Sequence, residues 1–131
     1  MKPTRFRVAR PTDQMPRIKT FYIEGLGLTE RGSFQNHDGY DGIILGIDES
    51  SYEIEFTTHR AGSPCHAPSP DNLLVFYLRD AAAVAQVVLR MSQLGIEPVV
   101  PENPYWITRA STFEDADGWR VAIVNSQALN S

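Results

Sequence analysis

Apolar positions alternate with polar ones in some stretches of this chain and recur about every three to four residues in others. The two patterns follow one another in an order that repeats. Arg5–Arg10 (RFRVAR) alternates and predicts a strand. Thr12-Asp13 can cap a helix in which Met15, Ile18, Phe21 and Tyr22 share a face. Pro16 suits its first turn, where a missing N–H costs little, and Gly25-Leu26-Gly27-Leu28 supplies a glycine stop. Three strand-like stretches follow, near Leu28–Gln35, Tyr40–Ile47 and Tyr52–Thr57, with turns at His37-Asp38-Gly39 and Asp48–Ser51.

The same order returns after Pro70. Asn72–Leu78 (NLLVFYL) reads as a buried strand. Asp80 can cap a second helix with Val84, Val87, Val88, Met91 and Leu94 along one stripe, and Leu94-Gly95-Ile96 ends it as Leu26-Gly27-Leu28 ends the first. Further strands are predicted near Glu97–Val100, Ser111–Glu114 and Trp119–Val124, so each half reads β-α-β-β-β. IDESSYEIEF and EDADGWRVAI align without a gap: Asp48 precedes Glu55 by seven residues, and Asp115 precedes Ala122 by seven. The D-x-D-G run is not a calcium loop, because counting from Asp115 puts glycine fourth and Ser126 twelfth, where that loop needs glycine sixth and glutamate twelfth. It reads as a turn feeding a strand. Between the halves, Thr58–Pro70 carries three prolines and no periodicity, which predicts a surface linker.

Composition narrows the function. A net charge of −4 argues against a nucleic-acid partner, which needs a basic face. Arg5, Arg7 and Arg10 cluster, and are expected to be split between faces and solvated. No apolar run approaches the roughly 18 residues of a membrane span, and no signal-peptide core opens the chain. The single Cys65 excludes an internal disulfide. Together these features predict a cytoplasmic protein without membrane partners.

The paired βαβββ unit with FY-x2-GLGL after its first helix, LLVFYLRD…LGI in its second half and the closing FEDADGWRV resembles the vicinal oxygen chelate superfamily. That superfamily includes glyoxalase I, bleomycin-resistance proteins and extradiol dioxygenases. NHDGYDG and ENPYW look like its YycE-like branch. The resemblance implies an α+β fold in which two βαβββ modules with U-shaped mixed sheets enclose a cleft. It makes 1–131 a single domain, with module one at 5–57, a linker at 58–70 and module two at 71–126. It also implies a homodimer.

In that superfamily four inward side chains, from the first and last strand of each module, typically bind a divalent metal. The matching positions here are Arg7, Glu55, Leu73 and Ala122. Arginine is no ligand, and a lone carboxylate is not a transition-metal site, which needs about three or four protein ligands. The expectation is therefore no metal and no cofactor. Arg7 and Glu55 should form an ion pair in place of the metal, or Arg7 should present its fork to an anionic ligand group. With Leu73 and Ala122 the second half should be apolar and roomier than a metal site.

Other residues invite chemistry. His37 falls in a turn, and His59 and His66 lie in or beside the linker with Cys65, without metal-ligand spacing, so all are expected at the surface. Tyr105 and Trp106 in ENPYW either cover the core or an oligomer contact, or form a stacking wall for a ligand; Trp119 and Tyr77 are open to the same two readings. The function expected is a metal-independent small-molecule-binding protein, with Arg7, Glu55, Leu73, Tyr105, Trp106 and Ala122 around the ligand. The alternative is a lyase, isomerase or dioxygenase-like enzyme of the same superfamily with Glu55 as general base or metal ligand. A structural or regulatory dimer without a small ligand is the third possibility.

Overall fold

The computed structural model, which describes residues 1–64 and 66–127, gathers each half of the chain around its own sheet. The compact units are Met1–Cys65 and His66–Ser131. Cys65 itself lies outside the described residues, as does the end of the chain after 127.

In the first unit β1 (Phe6–Pro11) leads into α1 (Met15–Lys19), which widens into a π-helical turn over Thr20–Gly25. Then come β2 (Thr29–His37), β3 (Tyr40–Gly46) and β4 (Tyr52–His59). The sheet order is β1-β4-β3-β2, with β1 parallel to β4 and the other pairs antiparallel. Alternation along the strands decides the core: Ile43, Leu45, Ile54 and Phe56 face the helix, where they meet Ile18, Phe21 and Tyr22. Tyr22 and Phe56 lie 4.8 Å apart, ring centre to ring centre.

The expected cap at Thr12-Asp13 is replaced by other bonds. Thr12 Oγ1 accepts the Gln14 N–H, and the Asp13 carboxylate accepts the Ser63 N–H from the linker, so α1 starts at Met15 with no side-chain cap. Gly27, with φ of 78°, ends the helical segment as its sequence predicts.

In the second unit β5 (Leu73–Leu78) precedes α2 (Ala81–Gln93), then β6 (Ala110–Glu114) and β7 (Arg120–Asn125), in the order β5-β7-β6. Asp80 caps α2 by accepting the Ala83 N–H at 2.9 Å, and Val87 and Met91 of the expected stripe are buried. The strand expected near Glu97–Val100 is reduced to one bridge, Val99 to Thr112. Pro98 and Pro101 flank it, and proline cannot donate to a ladder.

The turn before β7 is built by Asp115. Its Oδ1 accepts the N–H groups of Asp117 (2.9 Å) and Trp119 (3.0 Å), and Gly118 takes φ of 84°. The acidic run thus serves a β-turn, as expected. No described helix is long and apolar enough to cross a membrane.

Candidate functional site

Residues two apart on a strand point the same way, and register partners on adjacent strands share a face. On β1 and β4 that rule puts Arg5, Arg7 and Ala9 together with Glu53, Glu55 and Thr57, on the face opposite the helix. Arg5 forks onto Glu53, with Nε donating to Oε1 at 2.8 Å and Nη2 to Oε2 at 3.0 Å. Arg7 bridges the two carboxylates: its Nε donates to Glu53 Oε1 at 3.2 Å and its Nη1 to Glu55 Oε1 at 3.0 Å.

A third arginine arrives from β2. Register slips between Glu30 and Gly32, so Arg31 is the extra residue of a β-bulge. Its Nη1 comes within 3.8 Å of Glu53 Oε2, and its Nη2 donates to the Asp48 carbonyl. Gly46 on β3 makes room for it, since a Cβ there would overlap Nε, Cζ and Cδ of Arg31.

Glu53 is the hub of this face, with 5% of its side chain exposed against 15% for Glu55, 32% for Arg7 and 27% for Arg31. The hydrogen bond from Arg5 holds the Glu53 carboxyl below its ordinary range, with Arg7 adding to the effect and desolvation opposing it. The same bond raises the Arg5 guanidinium above its usual value.

Sequence reasoning paired Arg7 with Glu55, and the structure brings those two together. It missed Glu53, Arg5 and Arg31. Arg5-x-Arg7 and Glu53-x-Glu55 are each an i, i+2 pair, a signal readable as two like-charged rows on facing strands. Arg31 has no such signal, because a bulge breaks the alternation. Nor do the three N-terminal arginines behave as expected: Arg5 and Arg7 share one face, and Arg10, on the other, is buried.

In the second unit Leu73 is half-buried and Ala122 has no exposed surface. Their face is packed at Ala122 rather than hollow, beside Thr112, whose buried hydroxyl has no hydrogen-bond partner among the described residues. Tyr105 and Trp106 form a 3-10 turn (Pro104–Trp106) and stack on each other at 4.8 Å. Arg109 covers the Tyr105 ring at 4.2 Å. It also lines a groove of ≈ 210 Å³ with Ala81, Val84 and Ile123, on the helix side of the sheet. Leu73 and Ala122 belong to the opposite face. Tyr77 is exposed and Trp119 half-buried. His37 and His66 are exposed, and His59 is half-buried, its Nδ1 accepting the Ala61 N–H.

The metal that the superfamily implies does not fit these residues. Arg7 has no lone pair to offer, Leu73 and Ala122 have no donor atoms, and Glu55 already accepts from Arg7. Among the described residues no group of three or more His, Cys, Asp or Glu side chains could hold a metal ion. What the first face can do is bind anions, through guanidinium donors held in place by carboxylates.

Family models place both halves. The YycE-like N-terminal domain matches residues 6–57 and the YycE-like C-terminal domain matches 71–125. The chain is 43% identical over 124 residues to the uncharacterized protein YycE of Bacillus subtilis, covering 95% of this chain and 89% of that protein. The crystal structure of a YycE protein of unknown function from Bacillus subtilis superposes with a TM-score of 0.88 at 43% identity, over 94% of this chain and 90% of that one. Leishmania major glyoxalase I has the same fold at 16% identity, with a TM-score of 0.74 over 99% of this chain and 91% of that one. So does TnmS3, an antibiotic binding protein from Streptomyces sp. CB03234, at 15% identity and a TM-score of 0.64 over 95% and 96%.

Proposed function

The chain belongs to the YycE-like branch of the vicinal oxygen chelate superfamily, and on that premise we propose that it is a metal-independent small-molecule-binding protein. The observation that carries this reading is the Arg7 guanidinium bonded to Glu55 at 3.0 Å, at two positions where relatives of this superfamily place metal ligands. A fixed cation takes over the metal's charge there, without its open coordination positions. The ligand's polar end, a carboxylate or phosphate-like group, is taken by the arginine face of the first unit. Leu73 and Ala122 themselves offer no charged partner in the second unit, and Arg120 on their face is already bonded to Glu114. A fold shared with an antibiotic binding protein supports binding as a role this architecture can serve.

Tyr105 and Trp106 are assigned to the ligand only as a stacking edge, since their own stack with Arg109 already occupies one ring face. The reading includes a homodimer in the cytoplasm, on the pattern of the superfamily.

The test is a ligand screen by thermal shift, because a ligand that binds only the folded state raises its apparent stability. Organic anions should raise the melting temperature equally with and without a chelator. Metal analysis of the purified protein runs beside it. Near-stoichiometric, tightly held metal would overturn the metal-independent reading, and a screen in which no organic anion shifts the transition would overturn the binding reading.

A further inference from the structure

Arg31 is placed by three separate devices. The bulge adds it to β2, Gly46 clears the β3 backbone beneath it, and the Asp48 carbonyl, on a residue with φ of 51°, accepts from its Nη2. Such placement is more than a surface arginine needs. It is also the least committed of the three cations. Arg5 and Arg7 both donate to carboxylates at hydrogen-bond distance, whereas Arg31 reaches Glu53 only at 3.8 Å. Among the described residues this cluster joins three guanidiniums (Arg5, Arg7, Arg31) to two carboxylates (Glu53, Glu55), which leaves one positive charge over.

A second glycine on β3 repeats the arrangement with an apolar partner. A Cβ at Gly42 would overlap the far end of the Phe34 ring, so that ring reaches over the strand at the glycine. Between the two glycines, on the same face, comes half-buried Ile44. Gly46 and Gly42 are four residues apart, a span of about 13 Å at ~3.3 Å per residue. One face of β3 thus runs from a seated guanidinium, across an aliphatic side chain, to a seated aromatic ring.

We infer that Arg31 sets the ligand class of this face: an amphipathic organic anion with one negative group, taken by Arg31 together with Arg7, and an apolar body that runs over Ile44 toward Phe34. This rests on the proposed binding function. Arg31 acts here as a selectivity residue, and Gly46 as the residue that positions it. Neutral analogues lose the excess charge as a partner, and small anions lose the apolar body.

The probes are phenylacetate, 4-phenylbutyrate, their amides and acetate, titrated into the full chain and followed by backbone amide NMR shifts. Wild type should bind 4-phenylbutyrate about tenfold or more tightly than its amide, as the loss of one charge-assisted hydrogen bond implies. Acetate should bind more weakly than either phenyl acid. Arg31→Gln should remove that preference for acid over amide while leaving the urea midpoint close to wild type, and Arg31→Lys should restore part of it. Gly46→Ala should act as Arg31→Gln does although Arg31 is still present; should it fail to fold, Arg31→Gln decides alone. If no acid binds wild type, the inference falls together with the anion site of the proposed function. If the acids bind but Arg31→Gln keeps the acid preference within about twofold, the inference falls and the binding function stands.

Discussion

The two units place different chemistry at the same register positions. Arg7 lies opposite Glu53 as Leu73 lies opposite Arg120, and Ile44 lies opposite Glu55 as Thr112 lies opposite Ala122. The position of Gly46, facing Glu53, is held in the second sheet by Glu114, facing Arg120. There the charge is settled between neighbours: Arg120 Nε donates to Glu114 Oε1 at 3.3 Å, and its Nη1 to the Val100 carbonyl at 3.0 Å. In the first sheet the neighbour is a glycine, so the compensating cations come from β1 and from the β2 bulge. One unit completes its charges locally and packs the adjoining position. The other gathers more cations than carboxylates on a face that keeps some exposure.

The sharpest way to break that contrast is to put a carboxylate where the second unit has none. Ala122 is fully buried between Val121 and Ile123 on the central strand. Ala122→Glu adds the carboxylate that Glu55 supplies at the matching register position of the first unit, but without the partner that Arg7 gives Glu55. An unpaired buried charge should destabilise the fold by about 3 kcal/mol or more. Urea denaturation measures it. An unchanged midpoint would mean that the second face is as accommodating as the first.

The turns that feed the last strands offer the next largest difference. Asp115 accepts two buried or half-buried N–H groups, and Asp115→Ala should cost about 2 kcal/mol by leaving them without an acceptor. Its counterpart Asp48 holds φ of 51°, and its backbone carbonyl accepts from Arg31. Asp48→Gly should therefore lie within about 1 kcal/mol of wild type, toward the stabilising side. Equal losses at the two positions would show that the turns do equivalent work.

These turns also show what a sequence can carry. The duplicated order, the helix-ending glycines, the Asp80 cap and the Asp115-Gly118 turn are local decisions, made by residues a few positions apart, and they were legible. The strand expected at Glu97–Val100 forms no more than one bridge, because Pro98 and Pro101 cannot donate to a ladder. The Asp13–Ser63 bond is hidden because it joins residues far apart in the chain. At the site, Arg7 and Glu55 were readable through a resemblance. The rows Arg5-x-Arg7 and Glu53-x-Glu55 are readable as spacing, but which rows meet depends on parallel register, and the place of Arg31 depends on a one-residue bulge. A bulge changes which face a side chain takes, and alternation alone cannot report it.

Acid should separate the units further. The Glu53 carboxyl is held below its unfolded value near ~4.3. Between the unfolded and folded values the unfolded chain binds more protons, so stability rises with pH there. The contribution is fully present above the unfolded value and is lost as pH falls through the folded one. Urea midpoints at neutral pH and in steps below pH ~4 should fall more steeply for wild type than for Glu53→Gln. Parallel acid limbs for the two proteins would remove Glu53 from its place as hub.

Arg7→Ala should have the smallest effect on folding and a large one on binding. Its side chain is 32% exposed, so solvent screens its bonds to Glu53 and Glu55, and Arg5 still forks onto Glu53 after its removal. The expected stability loss is below about 1 kcal/mol. Binding is different, because Arg7 spans both carboxylates and carries the fork that meets the ligand in the proposed function. Affinity for an organic anion should fall about tenfold or more. Leu73→Ala, at the matching position of the second unit, should reverse the ranking, losing about 1 to 1.5 kcal/mol of stability for a half-buried apolar side chain while changing anion affinity little. A double comparison by urea midpoint and titration separates the two. If Arg7→Ala lowers stability as much as Leu73→Ala and leaves affinity intact, the arginine face is structural and the first unit is no more a binding surface than the second.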